Sequence, residues 1–104
     1  MRKRTLAREN ALIILYQSEI TGRTIDLASE NFWHEQETID KDICEFATRL
    51  THGIAGKREA IDDKISQYAT NWQLKRMAII DRNILRLGVF ELLFTTDIPP
   101  KVTI

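Results

Sequence analysis

The stretch IDKDICEFATRLTHGIAGKREAIDDKISQY, residues 39–68, decides the fold. Ile39, Ile43, Phe46, Leu50, Ile54, Ile61, Ile65 and Tyr68 fall on one face of a single helix and keep phase from end to end. Thr38 stands before the run as its expected N-cap. Gly53 and Gly56 do not shift the phase, so they mark the close approach of a neighbouring helix or a mild bend, at about 1 kcal/mol each against alanine.

The same period continues on both sides. Downstream, Thr70-Asn71-Trp72-Gln73 reads as a connection and a strongly apolar helix follows from about Met77 to Thr95. Pro99-Pro100 suits the first turn of a fifth helix, where a missing N–H costs nothing. Upstream, a short acidic helix is expected over Ile25–His34, and a first helix from about Thr5, as N-cap, to Thr21, with Gly22 as its stop. That first helix is apolar on two faces: Ala7, Ala11, Ile14, Leu15 and Ser18 form a small, smooth one, and Leu6, Ile13 and Ile20 a second ridge. A helix of this kind is buried twice, or buried once and reserved for a partner. No β-branched alternation of useful length interrupts the pattern, so the chain is all-α.

At 104 residues this is one small domain, or part of one, with enough apolar content for a core (43%) and enough charge (29%) for a water-facing surface. No uncharged apolar run approaches the roughly 18–20 residues of a membrane span, and Arg8, Glu9 and Asn10 cut off any signal-peptide core after Met-Arg-Lys-Arg. Cys44 is the single cysteine, which excludes an internal disulfide and fits a reducing cytoplasm. Net charge is zero but unevenly spread. Residues 1–23 carry Arg2, Lys3, Arg4, Arg8 and Arg23 against Glu9 and Glu19. Residues 24–48 carry Asp26, Glu30, Glu35, Glu37, Asp40, Asp42 and Glu45 against Lys41 alone. The start therefore has room for a polyanion and the next segment repels one.

Catalytic chemistry is not found. Cys44, beside Ile43 and Phe46, reads as a small buried hydrophobe. His34 and His52 have only Cys44 as a possible companion and match no zinc spacing. Gly53–Arg58 resembles a phosphate loop only faintly, lacking its first glycine and the Ser/Thr after Lys57. Neither enzyme activity nor a cofactor is expected. The N-terminus is different: cations at a helix N-terminus oppose the macrodipole, so helix stability does not explain Arg2, Lys3, Arg4 and Arg8. An anionic partner does, with Tyr16 as a stacking surface for an unpaired base. A solvated basic tail with Tyr16 in the core is the competing reading.

Three segments carry a family resemblance. They are Lys3-Arg4 with Ala7-Arg8-Glu9-x-Ala11 and Leu15-Tyr16-Gln17; Tyr68-x-x-Asn71-Trp72-x-Leu74-x-Arg76-Met77; and Asp81-Arg82-x-Ile84-Leu85-Arg86-Leu87 with Phe90-Glu91-Leu92-Leu93-Phe94 and Asp97-Ile98-Pro99-Pro100-Lys101-Val102. Together they resemble the bacterial NusB transcription antitermination factors, in order and over essentially the whole chain. The resemblance implies an all-α bundle of two small helical subdomains, about 1–70 and 71–104, without catalytic activity. It implies a partner, NusE, which is also a small-subunit ribosomal protein, and a heterodimer that binds single-stranded boxA RNA. The pair then acts on transcribing RNA polymerase, notably at ribosomal RNA operons. Arg2, Lys3, Arg4 and Arg8 match the family's basic RNA-binding start, with Tyr16 beside them. Asp81 matches the acidic position on the NusE-facing side, with Arg82 and Glu91 as further partner-binding residues. Ala78-Ile79 departs from the family's capping start before the fourth helix.

Family members continue past Ile104, so the C-terminal subdomain is expected to be incomplete here. The apolar fourth helix would then expose surface and favour a homodimer in the absence of a partner. Two other readings share the pattern: a NusB-like accessory domain of an RNA cytosine methyltransferase, and a helical interaction module without RNA binding.

Overall fold

A computed structural model describes residues 2–68, the last of these for its backbone only, and residues 76–94. It contains α1 (Arg2–Thr21), α2 (Ile25–His34), α3 (Lys41–Tyr68) and α4 (Ile79–Phe94), with no strand among the described residues. α3 is the central element, packed against α1, α2 and α4, while α1 also touches α2 and α4. Ala11 and Leu15 of α1, Ile25 of α2, Leu50, Ile54, Ile61 and Ile65 of α3, and Leu87 and Phe90 of α4 meet in one apolar core. The α3 period is thus the core's spine.

Local chemistry sets the boundaries. At the end of α1 the Gly22 N–H donates to the Ser18 carbonyl (3.0 Å), and Gly22 takes φ 76°, a conformation open to glycine. The Thr24 hydroxyl accepts from the Leu27 N–H at 3.2 Å and caps α2. α3 is capped by Asp40 instead of Thr38: its Oδ1 accepts from the N–H groups of Asp42 (2.9 Å) and Ile43 (3.2 Å). A carboxylate beside the positive end of a helix gains more there than a threonine hydroxyl would. Ile39 consequently precedes the helix and is 49% exposed.

α1 begins at Arg2, a turn earlier than expected, so Thr5 lies within the helix and not at its cap. The added turn is held from outside, because Lys3 and Arg4 both reach α3. α4 starts at Ile79, close to the expected position. The connection at 70–73, the segment Tyr68–Trp72 as a motif and the fifth helix at Pro99-Pro100 lie outside the described side chains.

The small α1 face is buried as expected: Ala7, Ala11, Ile14, Leu15 and Ser18 are all closed to solvent. The second ridge is not, for Ile13 and Ile20 face outward together with Tyr16. α4 also keeps an open face, bearing Ile80, Ile84, Leu85, Leu92 and Leu93. Of the two α3 glycines, only Gly53 marks a close approach. A Cβ built there would stand 2.1 Å from the Phe90 ring, whereas one on Gly56 would meet nothing within 4 Å.

The two glycines should therefore respond with opposite signs. Gly53→Ala is expected to destabilise the fold by about 1–3 kcal/mol through overpacking against Phe90. Gly56→Ala should stabilise it by up to about 1 kcal/mol through helix propensity. Urea unfolding midpoints of the two variants test this; equal shifts would contradict the packing.

Candidate nucleic-acid interface

The basic start of α1 lies along the first turns of α3. Arg2 is exposed. The Lys3 ammonium donates to Asp42 Oδ2 at 3.0 Å and is 3.3 Å from Asp40 Oδ2. Those bonds, Asp42's first, raise the Lys3 pKa above its ordinary value. Arg4 is half-buried with its guanidinium 4.5 Å above the centre of the Phe46 ring, and its Nη1 is buried with no hydrogen-bond partner among the described residues. Arg8 lies 5.8 Å from the centre of the same ring, so Phe46 serves two cations.

Arg8 is engaged elsewhere as well. Its Nε donates to both carboxylate oxygens of Glu91, at 2.8 and 3.0 Å, and Glu91 is only 3% exposed. This pair ties the first helix to the last described one. Arg82 and Arg86 form a second, larger lock. Glu19 on α1 accepts from the guanidinium of Arg82, from Arg86 Nη1 at 2.6 Å and from Asn83 Nδ2 at 3.1 Å. Arg86 Nε also donates to Asp62 Oδ1 on α3 at 2.8 Å. Burial pushes the Glu19 carboxyl up, but the bonds from Arg82, Arg86 and Asn83 outweigh it and hold its pKa below the usual range.

The predicted site residues therefore separate by environment. Arg2, Lys3, Tyr16 and Asp81 lie at the surface, Tyr16 on α1 between Ile13 and Ile20 and Asp81 in the first turn of α4. Arg4 is partly covered by Phe46, and Arg8, Arg82 and Glu91 are engaged in helix-to-helix ion pairs. The sequence pattern does not reveal Glu19, Asp62 and Phe46 as partners of these residues, because apolar periodicity says nothing about which charges meet. The uneven charge is the available signal for Lys3, whose partners come from the acidic 24–48 segment.

His52 Nδ1 sits 3.1 Å from Asp26 Oδ1, and Cys44 is half-buried with its sulfur 4.0 Å from the Thr48 hydroxyl. Among the described residues no cluster of three or more His, Cys, Asp or Glu could hold a metal ion, and no helix is long and apolar enough to cross a membrane.

Comparison with known proteins places this geometry. The family model described as the NusB family matches residues 5–104. The chain is 47% identical to the transcription antitermination protein NusB of Anaeromyxobacter dehalogenans, over 98% of its own length and 71% of that relative. It is 44% identical to the protein of the same name from Myxococcus xanthus, over 100% of its length and 76% of the relative. Among solved structures, T. maritima NusB superposes with a TM-score of 0.83 at 38% identity, covering 97% of this chain and 70% of that one. A chain from a crystal structure of a plectonemic RNA supercoil superposes with a TM-score of 0.87 at 31% identity, covering 99% and 75%. The curated relatives are named as antitermination proteins, in keeping with a non-catalytic chain.

The Glu19 lock gives an acid sensitivity of known sign. Its folded pKa lies below the unfolded one, so its contribution is complete above the unfolded value, near 4.5, and is lost as pH falls through the folded value. Glu19→Gln should lower stability at neutral pH by roughly 3 kcal/mol, since it leaves two arginines short of a buried counter-charge. It should also flatten the acid limb of the stability profile. Denaturant titrations from neutral pH downward check both; an unchanged acid limb would remove Glu19 from its assigned role.

Proposed function

This chain belongs to the NusB family, and we propose that it is an RNA-binding transcription antitermination factor. The observation that carries the reading is the exposed, basic end of α1. Arg2 stands outward at the positive end of a helix, where stability alone disfavours it, with Lys3 exposed beside Asp40 and Asp42 and Arg4 on Phe46. The structural neighbour solved with RNA supports the same reading.

In this proposal Arg2, Lys3 and Arg4 meet phosphates and Tyr16 stacks on an unpaired base, so the ligand is a single strand, and the family resemblance makes it one of the boxA type. Arg8 acts through Glu91 as a positioning residue that fixes the α1 end. Asp81, exposed at the start of α4, faces the NusE partner, and Arg82 and Glu91 hold α4 in the orientation that presents it. The residues up to about 70 form the N-terminal subdomain and those from 71 onward open the second. The heterodimer delivers RNA to transcribing polymerase at ribosomal RNA operons in the bacterial cytoplasm. The relatives' names favour this factor over a methyltransferase accessory domain.

Charge and stacking should separate in a salt titration of binding to a boxA-type RNA, with and without NusE. Arg2→Glu is expected to shrink the log–log salt slope by about 0.7, the value for one phosphate that is no longer neutralised. Tyr16→Ala should weaken binding by about 1–3 kcal/mol and leave the slope unchanged. Full affinity in both variants would rule out the α1 end as the RNA surface. The outward apolar residues of α1 and α4 also favour self-association when no partner is present. Sedimentation velocity should then show a concentration-dependent dimer that NusE dissolves; a monomer at all concentrations would contradict it.

A further inference from the structure

The acids at the start of α3 hold Lys3 much as a phosphate would. Asp40 is fixed by its own helix: Oδ1 accepts two backbone N–H groups, which leaves Oδ2 for Lys3. Asp42 supplies a second oxygen from the first turn of that helix. One ammonium thus faces two carboxylates, and the cluster as a whole is negative. A phosphate approaching Lys3 must displace oxygens that are already in place, one of them on a carboxylate anchored to backbone. The exposed geometry makes that exchange accessible, for the side chains of Lys3, Asp40 and Asp42 are 57%, 40% and 70% exposed.

We infer that Asp42, with Asp40, is a built-in competitor for RNA phosphate at Lys3 and sets the affinity and salt dependence of this surface. The inference rests on the RNA reading above and adds two residues that weaken binding. Backbone hydrogen bonding holds the Asp40 carboxyl below its ordinary pKa, so the competitor stays ionised across the neutral range. The acid-rich composition of residues 24–48 acquires a local purpose: its α3 end faces the basic end of α1.

The test is a double-mutant cycle on the whole chain, read as binding of a boxA-type RNA against salt. Asp40 also caps α3, so Asp42 is the residue to change. Asp42→Asn should tighten binding about two- to fivefold, the range expected for releasing an exposed ion pair. Lys3→Met should shrink the slope by less in the natural chain than in the Asp42→Asn background, where Lys3 is released to meet phosphate and the loss should reach about 0.7. Glu45→Gln, which removes a charge from the same helix at a residue paired with Lys41 and not with Lys3, should tighten binding less. If Asp42→Asn tightens binding equally with methionine at position 3, or no more than Glu45→Gln does, the effect is general repulsion and the competitor is refuted. If neither the natural chain nor any variant binds RNA, the RNA reading itself fails, and the competitor with it.

Discussion

Glu19 is the constraint on which the rest of the structure depends. One carboxylate on α1 takes two guanidinium groups and an amide from α4, and one of those guanidinium groups continues to Asp62 on α3. Three helices are thereby joined through a few polar atoms, set beside the core formed by Leu87 and Phe90. A buried ion pair adds little over a well-packed apolar contact, but removing one partner is expensive. Such a network therefore selects among packings more than it strengthens any one of them. Leucine contacts would tolerate α4 sliding or turning by a residue; Arg82, Asn83 and Arg86 would then lose Glu19 together.

The orientation that follows runs α4 antiparallel to α1, with Arg82 at the α1 C-terminal half and Glu91 near its start at Arg8. The surface end of α1 is organised by the same logic. Arg8 is drawn inward by Glu91, Arg4 shares the Phe46 ring with it, and Arg2 and Lys3 are left outermost. A row of four basic residues that looks uniform along the chain is thus graded in space from structural to accessible.

Apart from Ile39, which precedes its helix, the repeating positions of α3 can be read in advance. The α3 core positions Leu50, Ile54, Ile61 and Ile65, the small face of α1 and the full extent of α2 all follow from period and capping chemistry, and all are found. The α3 cap lies two residues beyond the expected Thr38 because Thr38 and Asp40 both satisfy the pattern, and only helix electrostatics distinguishes them. Which of Arg2, Lys3, Arg4 and Arg8 is engaged is not legible in the sequence, since their partners Asp42, Phe46 and Glu91 lie 39 to 83 positions away. Gly53 and Gly56 look alike along the chain, and only the ring of Phe90 separates them.

That separation along the chain also orders events during synthesis. Arg8 and Glu91 are 83 positions apart, and Glu19 and Arg86 are 67. At a ribosomal rate of roughly 5–20 residues per second, α1 waits several seconds for either partner. In that interval Glu19 has no arginine from α4 and Arg8 no Glu91, so the nascent α1–α3 unit lacks the charges that complete its seam. The arrival of α4 supplies the counter-ions and the Phe90 ring in one step. The charges that complete the α1 seam are therefore the last part of the described fold to be synthesised.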